Sequence, residues 1–397
     1  MVDKRQRGAL TARVLDDRLW GGSPFVLLDV GSSGGIEHRW QAFGDRLEAV
    51  GFDPLVAEVE RLNAANTHPG VRYEAAVVTC RDFDRLFPTA LRNDRVASRN
   101  DEPFPRVSAA AAQDRLRNSY IQEQYNAGAP VALTTRSVTL DEYVPADRRA
   151  QVDFVKIDTD GHDIEVILGA NAIMSAGGIL GLYVETQFHG ATHEFANTFS
   201  SIDRILRCHG FTLFDLSTYR YSRAHLPAPF VSDMAAQTTS GQVLWADALY
   251  LRDLGSTDYE RMWPGYEVTS ERVMKLACLF DLFELPDCAA ELLVTRGQFL
   301  NAHQRGELLD TLATGEPGSY AAHVAAFDAD FTAFYPSRLK SRPRLERGVS
   351  DTTIERLQAG MARLQGKNTA LRGELNASRE KVERLKDRLR RLEARRQ

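Results

Sequence analysis

Apolar runs recur along the first 255 positions, separated by amphipathic or polar stretches, and they predict a sheet before any motif is considered. Phe25–Val30 (FVLLDV) and Leu47–Phe52 (LEAVGF) come first, and the amphipathic stretch between them fits one helix. Asp29 and Asp53 close these runs 24 positions apart, a natural length for a strand–helix–strand unit. Val71–Val78, Asp153–Ile157, Ile179–Val184, Phe211–Leu216 and Val243–Leu251 complete a set of seven. Strands alternating with helices predict a parallel, doubly wound α/β sheet. Two connections, 81–138 and 217–242, are long and irregular, a length usual for lids, binding loops or disordered segments.

Past residue 255 the strand pattern stops. Ser270–Phe283, Asp287–Leu300, Asn301–Leu312 and Tyr320–Tyr335 have helical spacing, and Asn301 with Gln304 reads as a capping box. The expected organisation is an N-terminal helical extension (1–24), an α/β domain (25–255), a small helical domain (256–340), a linker (341–350) and a tail (351–397). In the tail, Ile354, Met361, Asn368, Leu375, Val382 and Leu389 recur every seventh position. Leu357, Leu364, Leu371, Ser378, Leu385 and Leu392 form the companion set. Such heptads predict a coiled coil, and a mid-seam Asn368 suits a parallel homodimer.

Charge separates the tail from the rest. Residues 351–397 carry 13 Lys/Arg against 7 Asp/Glu, whereas the whole chain has a formal net charge of -5. The body is therefore acidic, which argues against nucleic acid as a partner. The tail's basic excess suits a solvated surface or an anionic lipid, so a position peripheral to a membrane-associated glycan assembly stays open. Cys80, Cys208, Cys278 and Cys288 are too scattered for a disulfide scaffold and fit buried thiols in the cytoplasm. The N-terminus lacks the apolar core of a secretory signal. The uncharged stretch Val166–Val184 is broken by Gly169, Asn171, Gly177, Gly178 and Gly181, so no transmembrane segment is expected.

The candidate chemistry begins at DVGSSGG. A strand feeding Asp29, Gly31, Ser32, Ser33, Gly34 and Gly35 and then a helix would aim backbone N–H groups at a ligand; a plain helix-entry turn is the alternative. A nicotinamide fingerprint requires glycine where Ser33 and Ile36 stand, so that reading fails. The acidic–x–Gly opening instead resembles the first motif of S-adenosylmethionine (SAM) methyltransferases. Asp53 could accept the ribose hydroxyls or simply start the turn at Pro54.

TLDEYV (139–144) followed by VDFVKIDTDGHDIEVILGA (152–170) resembles the FkbM-type methyltransferase family over roughly residues 25–250. The resemblance implies the Rossmann-like, class I methyltransferase seven-stranded sheet and SAM as donor. It also implies O-methylation of a saccharide, glycan or natural-product hydroxyl. Asp160 stands where the family usually has Glu, and His162-Asp163 where it has a small residue and Glu. Methyl transfer to a hydroxyl is an in-line displacement that needs alignment and a proton acceptor. Asp160, His162, Glu185 and His189 are the catalytic candidates, with Asp158 beside the cofactor. Asp158, Asp160 and Glu185 could alternatively hold Mg²⁺, and helix capping is the plain reading of the two aspartates. Arg220, Tyr221, Arg223 and His225 fall in the long connection, with the chemistry to stack on a sugar or pair with an anion. A non-catalytic scaffold assembled by its coiled coil is the competing function.

Overall fold

The computed structural model describes residues 8–81, 134, 136–159, 161–188, 195–221, 238 and 241–334. Asp160, His189, Arg223, His225 and the heptad tail lie outside them. The described chain falls into two compact units, the first ending at His323 and the second beginning at Val324.

The first unit is built on a seven-stranded sheet ordered β3-β2-β1-β6-β7-β9-β8. Its strands are β1 (Phe25–Val30), β2 (Leu47–Asp53), β3 (Val71–Ala75), β6 (Phe154–Ile157), β7 (Gly181–Gln187), β8 (Thr212–Tyr221) and β9 (Gln242–Leu251). All seven apolar runs are thus strands of one sheet. The third is shorter than expected. Ala76 donates its N–H to Asp53 O, the chain turns, and β4 (Val77–Val78) pairs with β5 (Ser137–Val138) in a separate ladder.

The sheet is mixed rather than wholly parallel. β9 runs antiparallel to both β7 and β8, because β8 and β9 are consecutive in the chain and pair directly. That ladder also claims Arg220 and Tyr221, which pair with Val243 and Gln242 in β8–β9 instead of lying in the connection. Thr218, Tyr219 and Tyr221, one β-branched and two aromatic residues, favour that extension.

Helices cover both faces. On one pack α4 (Asp163–Leu168), α5 (Asn171–Ser175) and α6 (Phe199–Cys208), burying Ile164, Ile167, Ile173, Ile202 and Leu206 with Val155 and Leu182. The α2 helix (Val56–Ala65) joins β2 to β3, and α3 (Leu140–Tyr143) starts at a capping box between Thr139 and Glu142. The opposite face holds Phe25, Leu27, Leu47, Ala49, Phe154, Leu249 and Leu251. Its cover comprises α1 (Ala9–Asp16), α7 (Tyr259–Met262), α8 (Ser270–Leu282), α9 (Pro286–Thr295) and α10 (Ala302–Ala313). Helices α8 to α10 therefore share a continuous apolar core with the sheet. Asn301 and Gln304 cap α10 as expected.

A buried ion pair pins α8 to the starts of β1 and β6. Lys275 Nζ lies 2.9 Å from Asp153 Oδ2 and donates to Pro24 O at 2.7 Å. The same Asp153 oxygen accepts the Val26 N–H at 2.8 Å. Arg252, after β9, is similarly enclosed, donating to Ile179 O and Tyr259 Oη.

The described part of the second unit holds the end of α11 (Ser319–Ala329) and a 3₁₀ turn, Phe331–Phe334. Among the described residues no helix is long and apolar enough to cross a membrane.

Candidate active site

Side chains alternate across a strand, so one sheet face can be followed residue by residue. On the face beneath α8, β1 reads Phe25, Leu27, Asp29; β6 reads Phe154, Lys156; β7 reads Gly181, Tyr183, Glu185. The reversed β9 reads Leu251, Leu249, Asp247, Trp245. Every row is apolar or small near the start of the parallel strands and polar near their carboxyl ends. That end is where open α/β sheets bind ligands.

Asp29, Lys156 and Tyr183 are lateral neighbours, and Glu185 stands opposite Asp247. Asp29 is 1% exposed, and neither carboxylate oxygen has a hydrogen bond. Burial pushes its carboxyl up to about 6, although Lys156 Nζ, 3.5 Å from Oδ1, pulls the other way. Lys156 also reaches Asp158 Oδ2 at 3.2 Å and donates to Gly31 O at 3.3 Å. Burial alone would lower the Lys156 ammonium, but Asp29 and Asp158 hold it above its ordinary value.

The Gly-rich turn is tightly built. A Cβ on Gly31 (φ +83°) would sit 1.8 Å from Asp158 O, so only glycine lets these two strand ends meet. Ser32 Oγ is buried without a hydrogen bond; Ser33 and Gly34 are exposed. The expectation of free N–H groups feeding a helix needs correction. Gly31 and Ser32 donate to Phe52 O, Gly34 donates to Glu58 Oε1 at 2.9 Å, and Ile36 donates to Tyr73 Oη at 3.1 Å. The turn leads into a 3₁₀ stretch, His38–Arg46, broken at Gly44, not into one α-helix. The break lies where Gly44 leaves helical space, at φ 50° and ψ -136°. What this turn offers a ligand is acceptors more than amide donors.

Asp53 is 4% exposed, and its Oδ1 accepts the Leu55 N–H at 2.7 Å in the turn before α2. Burial raises its carboxyl above the ordinary value despite that bond.

The segment after β6 is organised by Asp163, which is fully buried. It accepts from Thr159 N and Oγ1 and from Asn197 Nδ2, and burial pushes it up to about 6. His162 Nδ1 lies 2.8 Å from Glu165 Oε1, and Thr79 Oγ1 donates to the other Glu165 oxygen at 2.7 Å. His162 is therefore anchored toward Thr79, on the flank where β4 leaves. Glu185 stands on the other flank, with Asp247. Of the expected site residues, Asp29, Gly31 and Asp158 meet around Lys156. Among the described residues no group of three His, Cys, Asp or Glu is placed to hold a metal ion.

Lys156 and Asp247 were missed. Each is a charge inside an otherwise apolar strand, in FVKI and LWADALYL, and that interruption is the signal that could have found them. Asp247 accepts from Tyr219 Oη at 2.8 Å, and the Tyr183 hydroxyl lies close by and favours its charged form. Burial raises the Asp247 carboxyl; Asp158 adds to this, and the two phenols oppose it. Tyr219 and Trp245 pack with ring centroids 5.8 Å apart. Arg39 lies over the Tyr183 ring at 5.8 Å and pairs with Glu37 at 2.6 Å.

The strand order, with one antiparallel strand inserted beside the edge, is the Rossmann-like seven-stranded sheet that the sequence resemblance implies. Residues 57–213 match the family model of the methyltransferase FkbM domain. That stretch is an FkbM-type methyltransferase domain. The FkbM match begins just after β2, so the Gly-rich turn and Asp53 precede it and are assigned on their own geometry. No curated protein matches the chain significantly. Solved structures with similarity include magnesium protoporphyrin IX methyltransferase (ChlM) from Synechocystis PCC 6803 with bound SAM. It is 10% identical, covering 61% of this chain and 76% of that one, with a TM-score of 0.27. Precorrin-6y C5,15-methyltransferase from Geobacter metallireducens GS-15 is 8% identical, covering 64% and 90%, with a TM-score of 0.27. The N-terminal domain of EvdMO1 in the presence of SAH and D-fucose is 11% identical, covering 63% and 84%, with a TM-score of 0.28. The FkbM match over residues 57–213 supports SAM-dependent methyl transfer as the chemistry of that domain.

The residues present fit that cofactor. SAM carries an ammonium and two ribose hydroxyls, all donors. The Asp29 oxygens and Ser32 Oγ, buried without a hydrogen bond, and the Asp53 carboxylate are acceptors on the same strand ends.

Proposed function

We propose that the protein methylates a hydroxyl of a saccharide or glycan, with SAM as donor. The observation that supports this best is the buried Asp29 carboxylate, paired with Lys156 but without a hydrogen bond, beside a rim of Glu185, Tyr183, Tyr219 and Trp245 on one sheet end. When bound, SAM supplies an electrophilic methyl group. Asp29 and Ser32 hold the methionyl part, and Asp53 Oδ2 takes a ribose hydroxyl. Lys156, in reach of both Asp29 and Asp158, fixes the two carboxylates in place, so that the methyl group faces the rim. Glu185 orients the acceptor, with Asp160 and His189 proposed as further contacts. His162, held by Glu165 on the opposite flank, keeps a role only if the acceptor reaches across the sheet end. A hard-cation site at Asp158, Asp160 and Glu185 is not required in this reading, so a chelator leaves turnover unchanged.

The test is to incubate the protein with labelled SAM and fractionated polysaccharide, lipid and small-molecule extracts. Label in a methyl ether of a saccharide is the expected result; label confined to nitrogen or carbon positions overturns the reading. Calorimetric titration with SAM separates it from the scaffold alternative, since a scaffold gives no heat. We further propose that the heptad tail forms a parallel homodimer. Light scattering should give twice the monomer mass for the full chain and a lower state after truncation at Ser350; a monomeric full chain sinks this.

A further inference from the structure

The rim on β7, β9 and β8 contains a carboxylate, Asp247, held by a phenol of the neighbouring strand. Asp247 belongs to an antiparallel ladder directly opposite Glu185, and two like charges in that position destabilise a sheet. Both nevertheless face the carboxyl end of the sheet, one row from Lys156 and Asp158. The Tyr219 phenol from β8 donates to Asp247 at 2.8 Å and fixes its direction, and Tyr183 from β7 lies close by. Beside it, the half-buried Trp245 and Tyr219 rings form an aromatic surface next to a carboxylate pair. Across the same face lies the buried Asp29 carboxylate with no hydrogen bond at all. An apolar ring face flanked by fixed acceptors suits a pyranose, whose C–H groups pack on the ring while its hydroxyls donate.

We propose that Asp247 is the proton acceptor of the reaction and that Trp245 with Tyr219 seats the sugar ring beside it. This rests on the methyltransferase reading above and names the acceptor subsite within it. Asp247 Oδ1 takes the hydroxyl proton as the O–CH₃ bond forms and the S–CH₃ bond breaks. The S–C electron pair stays on sulfur, leaving a neutral thioether, a methyl ether and a protonated Asp247, which then releases its proton to water. A carboxyl raised by burial is a better base than an exposed one. The charged and titratable groups facing it are Tyr219 from β8, Tyr183 and Glu185 from β7, and Lys156 and Asp158 from the end of β6.

The experiment uses the full chain and methyl α-glycosides of glucose, galactose, mannose and rhamnose as probes. SAH binding is first checked by calorimetry, and saturation-transfer NMR of the SAH-loaded protein then reports sugar contact. At least one glycoside should show ring-proton saturation, reduced at least tenfold in Trp245→Ala and retained in Asp247→Asn. Methyl transfer from SAM to that glycoside should fall by about 10²–10⁴ in Asp247→Asn, with loss of the acidic limb of the pH profile. Tyr219→Phe removes one donor that stabilises the charged carboxylate, so its acidic limb should move to higher pH. That variant carries the test if Asp247→Asn does not fold. The proposal is overturned if no glycoside contacts the SAH-loaded protein, if Trp245→Ala binds as well as the wild type, if Asp247→Asn keeps wild-type turnover, or if the Tyr219→Phe limb does not move. Failure of SAH itself to bind overturns the methyltransferase reading and this one together; SAH binding without sugar contact overturns only this one.

Discussion

Asp153 and Asp29 lie at opposite ends of the same parallel strands, and they make an instructive pair. Both are buried, both stand beside a lysine, and burial pushes both up to about 6. Their bonding differs completely. Asp153 receives Lys275 at 2.9 Å and the Val26 N–H at 2.8 Å, whereas Asp29 has Lys156 at 3.5 Å and no hydrogen bond. A buried carboxylate left without donors costs stability, and a fold retains that cost where a ligand will supply them. The starts of the strands are closed by α8; the carboxyl ends are left open to chemistry.

The sharpest way to break this contrast is Lys275→Met, which strands Asp153 without its cation. Loss of one partner of a buried pair costs about 3–5 kcal/mol. Urea unfolding should register it; a loss below 1 kcal/mol would mean that the pair is no structural fastener.

Asp29→Asn should act in the opposite sense. The folded state holds the Asp29 proton up to about pH 6, while the unfolded chain releases it near 3.8. Stability is therefore greatest below that lower value and falls as pH rises between the two, with Asp153 and Asp163 contributing in the same window. Removing the Asp29 share, about 3 kcal/mol by linkage, should flatten the decline and leave the variant more stable at pH 7. SAH affinity should fall in the same variant. Unfolding curves between pH 4 and pH 7 check the slope, and a variant less stable at neutral pH would end the comparison.

Asp53→Ala tests the open end from its other side. Loss of a charge-assisted bond to ribose, about 1.5–3 kcal/mol, should weaken SAM at least tenfold in calorimetry while the fold survives. Unchanged affinity would remove Asp53 from the site. The smallest effect serves as a reference: Asn301→Ala, far from both ends, removes only the α10 cap and should cost about 1 kcal/mol in thermal unfolding.

The strands and the acidic residues at their ends were legible because period and composition are local properties. The KIDTDG segment was recognisable, yet its lysine carried no visible role until Asp29 stood beside it. Residues 29 and 156 meet only through strand register, as do Lys275 and Asp153, and no local pattern reports register. The direction of β9 was hidden for a related reason: an apolar run looks the same in either sense. The helix expected after the Gly-rich turn failed because amphipathic spacing continued through Gly44, where the backbone leaves helical space. Asp160 and His189 lie outside the described residues, so their share in the site stands as a proposal.

The insertion of β9 between β7 and β8 has a consequence for how the chain is made. A ribosome delivers β7 and β8 before β9 exists, and neither can pair with the other in the finished sheet. Until residue 251 emerges, β7 is therefore an open edge, able to recruit a strand from any neighbouring chain. The cover over the strand starts arrives later still, with α8 and its Lys275. Nascent chains halted between β8 and β9 should depend most on chaperones, and release after α10 should end that dependence.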